Sequence, residues 1–206
     1  MRNSFAAFAL LTVVTVATVV TASAALAQDD MGDRRGFSGS LGFGVGSAGI
    51  SCTPQCATDR QSGPAWTIRA GAHVASQLVV GLDATMFRTD IKSQAPVGKW
   101  TMTWLTLSAL WYPNSDDDFF LKLGVGVAAV RADVPFPKSG VVGLNSSDFG
   151  AVIGVGKDFR LADLLALTAF GNVLFTPSSA ATANGSSSGA KVSADMVHVG
   201  LALTIP

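Results

Sequence analysis

The chain has 206 residues, with 14 Lys and Arg against 14 Asp, no Glu and a formal net charge of zero. Charged residues make up 14% where an ordinary soluble domain carries about 25%, and hydrophobic residues make up 49%. The balanced charge and two His argue against a nucleic-acid partner, which leaves a basic footprint, and the 22 Gly argue against a Leu-rich helical bundle.

Hydropathy is concentrated at the start. Met1-Arg2-Asn3 is a short cationic head, and residues 5–27 carry no charge. This segment ends Ala25-Leu26-Ala27 before Gln28-Asp29-Asp30, a small-x-small cleavage pattern. Residues 1–27 are therefore expected to be a cleaved export signal and 28–35 a short periplasmic segment. The alternative is an uncleaved anchor, but the Thr-rich stretch and the Ala-x-Ala end favour cleavage. The segment holds roughly half of the summed hydropathy behind a mean of +0.42.

No later segment has the run of about 18 apolar residues that a transmembrane helix needs. Stretches of period-two alternation follow instead, each bounded by turn signals. In the first, Phe37, Leu41, Phe43 and Val45 alternate with Ser and Gly. Trp66, Ile68, Ala70 and Ala72 mark the second, and Leu78, Val80, Leu82, Ala84 and Met86 the third. The fourth carries Thr103, Leu105, Leu107, Ala109 and Trp111, the fifth Phe119, Leu121, Leu123, Val125 and Val127. Phe149, Ala151, Ile153, Val155 and Phe159 form the sixth, Leu165, Leu167, Ala169, Val173 and Phe175 the seventh, and Val197, Val199, Leu201, Leu203 and Ile205 the eighth.

The joins between these eight strands fall into two classes. Those at 51–64, 89–98, 132–146 and 177–195 are long and polar, and the last is so rich in Ser, Ala, Thr and Gly that it reads as mobile. The others are short, around Ser76-Gln77, Pro113-Asn114-Ser115-Asp116 and Leu161-Ala162-Asp163. An up-and-down meander puts the long joins on one rim and the short ones on the other, as in a bacterial outer-membrane barrel. A soluble barrel of the lipocalin type needs a charged outer face, whereas the second face here is Gly, Ser, Thr and Ala with a few isolated charges. Aromatics near the strand ends fit two lipid–water interfaces: Phe37, Trp111, Phe119 and Phe159 on the short-turn rim, and Trp66, Phe149 and Phe175 on the other. The expected fold is all-β, an eight-stranded antiparallel up-and-down transmembrane β-barrel over residues 36–206.

The pattern, with phrases such as Gly154-Val155-Gly156-Lys157-Asp158-Phe159 running into Leu165-Ala166-Leu167-Thr168, resembles the small eight-stranded outer-membrane barrels of the outer-membrane protein A type. The resemblance implies a bacterial outer-membrane location. It also implies outer-membrane lipid and lipopolysaccharide as surroundings and the barrel assembly machinery as a partner during biogenesis. The chain departs from that pattern at its end, Thr204-Ile205-Pro206, where such barrels carry an aromatic residue.

A narrow lumen needs its charges paired. With a three-residue turn at Ala75-Ser76-Gln77, Arg69 lies across from Asp83, both inward; Lys122, Asp158 and Arg160 are expected nearby at the short-turn end. These five residues read as a charge network that plugs the lumen rather than a gate. Cys52 and Cys56, exported and close in sequence, are expected to form a disulfide. They lack the ligand count for a metal site, and Gly44-x-Gly46-x-x-Gly49 leads into no helix that would cradle a phosphate. The absence of Glu removes any Ser-His-Glu arrangement; what remains is an inward His198 with Asp195 close in sequence, and His73 near the other rim. The expected function is a structural or surface-interaction barrel without catalysis, cofactor or nucleic-acid partner. A narrow channel for ions or small hydrophobic solutes is the second reading, and a lipid A-modifying enzyme the third. No motif assigns a ligand to the outer loops.

Overall fold

Successive strand side chains point to opposite faces, so period-two alternation makes a sheet with one apolar face, and closing that sheet removes its edges. The computed structural model describes residues 36–53, 56–91, 98–114, 118–136, 140–183 and 186–205; the expected export signal and periplasmic segment lie outside them. The eight strands are β1 (Phe37–Thr53), β2 (Cys56–Ala75), β3 (Leu78–Ile91), β4 (Gly98–Trp111), β5 (Phe119–Phe136), β6 (Gly140–Ala162), β7 (Leu165–Ala183) and β8 (Ser186–Ile205). Each pairs antiparallel with the next, and β8 pairs with β1 to close the barrel.

The registers fix its stagger. From Gly39, backbone partners run Ala70, Leu82, Leu107, Val125, Ala151, Phe175 and Asp195, then return to β1 at Gly49, ten residues along. Stagger and tilt are linked, so the strands run oblique to the barrel axis.

Two expectations about the joins need correction. The β2–β3 register is the expected one, with Arg69 opposite Asp83, but Ala75 pairs with Leu78, leaving a two-residue turn at Ser76-Gln77 and a register shift between His73 and Ala75. The β6–β7 join uses the same device: Ala162 pairs with Leu165, with a shift between Arg160 and Ala162. A tight turn plus a bulge keeps the facing pattern that a three-residue turn would give.

The long polar joins are mostly strand. Ser179 pairs with Val192 and Thr182 with Ser187 inside the stretch read as mobile, and Phe136 pairs with Gly140. Strands of up to 23 residues exceed the roughly 9–11 that a tilted strand needs to cross a bilayer. The excess lies at the long-join end, where water bathes the outer face. Ladder hydrogen bonds do not require apolar side chains, so these segments pair without alternation.

The outer wall is apolar. Leu41, Phe43, Val45, Ile68, Leu107, Leu123, Ile153 and Leu201 are all exposed and face outward, a band too large to sit in water. Phe37, Trp111 and Phe159 at one end and Trp66, Phe149 and Phe175 at the other also point out, and Trp66 packs against Phe43 with ring centroids 4.5 Å apart.

The interior differs from the small and polar lumen expected. It is stacked in three tiers, visible along β4: Trp100, Met102 and Trp104, then Thr106 and Ser108, then Leu110, all buried. Phe87, Leu174 and Met196 join the apolar tier at the long-join end, and Val79, Tyr112 and Phe120 close the short-turn end. Inward glycines make room for these rings: a Cβ on Gly150 would lie 2.9 Å from Trp104 Cδ1, and one on Gly156 2.3 Å from Phe120 Cζ. Small residues opposite large ones let an eight-stranded barrel fill its own interior.

Candidate functional site in the barrel lumen

The middle tier carries the lumen charges. Asp83 on β3 accepts hydrogen bonds from Lys122 Nζ on β5, at 2.8 Å, and from Ser108 Oγ on the intervening β4. All three side chains are buried. Arg69 is the backbone partner of Asp83, but its Nε and Nη2 are buried with no hydrogen-bond partner among the described residues. Asp83 thus bonds the cation two strands away rather than the one beside it, its two oxygens being held by Lys122 and Ser108.

Asp158 is held separately, by Tyr112 Oη at 2.9 Å and Thr168 Oγ1 at 2.5 Å; Thr168 in turn shares a 2.6 Å hydrogen bond with Thr204. Among the described residues, its hydrogen-bond donors are these two hydroxyls. Arg160, expected near the lumen charges, is instead exposed at the short-turn rim, its Nε 3.6 Å from Asp118 Oδ2. Asp118 sits at φ +47°, a left-handed conformation that Asp tolerates, and its carbonyl accepts from Asp158 N at 3.0 Å. That turn draws Arg160 outward.

The remaining candidates separate. His198 is fully buried, its ring edge against Phe170 with centroids 4.9 Å apart, and neither ring nitrogen has a hydrogen-bond partner among the described residues. Asp195, three residues earlier, faces outward and is bound by Arg60, which also donates to Ser47 O. An odd spacing along a strand puts two side chains on opposite faces, so these two form no dyad. His73 lies at the short-turn end of β2, where its backbone N donates to Gly36 O. Cys52 and Cys56 are backbone partners across β1 and β2, while their thiols lie outside the described side chains. Gly44, Gly46 and Gly49 lie within β1, paired to β8. Among the described residues, no three His, Cys, Asp or Glu side chains converge as metal ligands.

The sequence reading missed Phe87, Trp100, Met102, Trp104, Phe120 and Met196 as lumen residues. Their signal was parity: Trp104 shares a face with Thr106 and Ser108, and Phe120 with Lys122.

A family model described as outer membrane protein beta-barrel domain matches residues 12–203. The chain belongs to this family. It is an integral β-barrel of the bacterial outer membrane, with the apolar band against lipid and the short turns at the periplasmic rim. This outer-membrane barrel shares its fold with three solved structures at low identity. Neisserial surface protein A is 15% identical, with a TM-score of 0.56, over 82% of this chain and 96% of that one. Ail, the attachment invasion locus protein of Yersinia pestis, is 13% identical, with a TM-score of 0.50, over 80% and 97%. OprG from Pseudomonas aeruginosa is 15% identical, with a TM-score of 0.50, over 85% and 99%. Comparison with curated proteins gave no match.

Proposed function

We propose that this barrel is a structural and surface-interaction protein of the outer membrane whose lumen is a filled plug. The observation that carries the reading is the three-tier interior. A solute would have to displace fully buried Trp104, Phe87, Met102 and Met196, then the bonded Asp83–Lys122 tier, then Leu110 and Phe120. Among the described residues, rings packed against glycines narrow the lumen at both ends. The outer ends of the strands, paired and polar, carry the surface role, and the separation of His198 from Asp195 supports a role without catalysis.

Lipopolysaccharide is the proposed surrounding on the outer side. Thr101 is the backbone partner of both Arg88 and Arg131, all facing outward just beyond the apolar wall, a row suited to lipid phosphates. Residues 1–27 are proposed as the export signal, Cys52–Cys56 as a disulfide, and the barrel assembly machinery as the partner that inserts the chain.

Planar-bilayer recording of the refolded protein tests the plug. Wild type is expected to be silent, while a Phe87→Ala/Trp104→Ala variant, which removes two rings of the outer tier, is expected to show raised current noise. Resolved single-channel openings from wild type would overturn the reading and favour a narrow channel.

A further inference from the structure

The middle tier holds a cavity of about 20 Å³ whose lining includes Ser40, Thr67, Arg69, Asp83, Lys122 and Asn172. Its charges do not balance. Arg69 and Lys122 are cations, and Asp83 is the one carboxylate on the lining, already bonded to Lys122 and Ser108. Asp158 is not on the lining and is taken up by Tyr112 and Thr168. Arg69 is 6% exposed and presents two nitrogens that no group among the described residues accepts from. A buried guanidinium without acceptors is costly, and its demand is met by a negative charge or by water.

We infer that this cavity is a binding site for a small monovalent inorganic anion of the halide class. Arg69 Nε and Nη2 are the principal donors, and the Asn172 amide and the Ser40 hydroxyl, both on the lining, supply further ones. Size selects the class. A single water requires about 10–15 Å³ of such space, so one monatomic ion is accommodated and a tetrahedral oxyanion is not. The site forms only when β1, β2, β5 and β7 stand in one ring, so the ion is a ligand of the folded state. The inference stands apart from the question of conductance, since an ion held in the middle tier needs no path through the whole lumen.

The test is refolding from urea in detergent with sodium chloride or sodium gluconate at matched ionic strength. A ligand of the folded state alone raises stability with the logarithm of its concentration. The wild-type urea midpoint is therefore expected to climb with chloride and to stay flat with gluconate, and Arg69→Gln is expected to lose the difference. Equal midpoints in the two salts for wild type, or a chloride effect unchanged in Arg69→Gln, would overturn the site. Should Arg69→Gln not fold, wild-type crystals grown in sodium bromide decide the matter: an anomalous peak beside Arg69 supports the site, and its absence overturns it.

Discussion

Asp83 shows how much of this interior hangs on one side chain. It is the acceptor for Lys122 and Ser108 and the backbone neighbour of Arg69, so three strands meet at its carboxylate. Replacing one member of a buried pair leaves the other uncompensated, at about 3–5 kcal/mol. Asp83→Asn, which keeps the shape and removes the charge, is expected to lose stability of that order, read as a lower urea midpoint. Adding Lys122→Met to it removes one of the two stranded cations and is expected to recover part of the loss. A wild-type midpoint for Asp83→Asn alone would show that the carboxylate does not hold the barrel. Parity and a turn length suffice to put Arg69 across from Asp83. They are silent about Lys122, because that bond skips a strand and depends on where side chains end inside a narrow tube. The anion cavity was equally illegible, since Asn172 on β7 comes to Ser40 and Arg69, backbone partners on β1 and β2, only after closure.

At the scale of the strand, glycine placement separates what the wall tolerates from what it does not. A methyl group on Gly126 would lie 2.0 Å from the carbonyl oxygen of Leu105 and 2.7 Å from Thr106 Cα, both backbone, so β4 and β5 would have to part. On Gly171 the nearest atom is Val199 Cγ1 at 3.8 Å, an ordinary contact. Gly126→Ala is expected to abolish most of the heat-modifiable folded band after refolding, and Gly171→Ala to leave it intact. Comparable yields from the two would contradict the close packing of β4 on β5. The membrane-crossing halves of the strands were legible because lipid on one side and lumen on the other impose alternation. The outer halves were not: with water outside, Ser179, Thr182 and Ser193 fit either face, and a paired strand reads as a loop. The fourth strand was read with Leu105 and Leu107 outside and Thr106 and Ser108 inside, as found. Trp104 went unassigned because it is as apolar as Leu105 and only the parity of Thr106 and Ser108 turns it to the lumen.

The whole molecule is held by closure, and it divides along its length. Strand number, order and the β2–β3 register followed from periodicity and join lengths; the tiered interior and the paired outer extension appeared only once the sheet was closed. The division predicts that the outer extension is dispensable for folding. Ala180 and Lys191 are backbone partners, so residues 181–190 can be replaced by a two-residue Asn-Gly turn. This variant is expected to keep the heat-modifiable band and a midpoint close to wild type. Loss of folding would show that the extension stabilises the membrane-embedded part.

The ten-residue stagger also governs which changes of length the chain can survive. One residue gained or lost in mid-strand turns every later side chain of that strand inside out and puts the β8–β1 seam out of step, an error that a closed ring has no free edge to discard. Only a bulge absorbs it. The ladder already shifts register between Ala48 and Ile50, His73 and Ala75, Asn145 and Ala151, Arg160 and Ala162, Thr176 and Ser179, and Ala180 and Thr182, all towards the rims. Those are the places where homologous barrels can differ in length, and where an inserted epitope can be carried without breaking the ring.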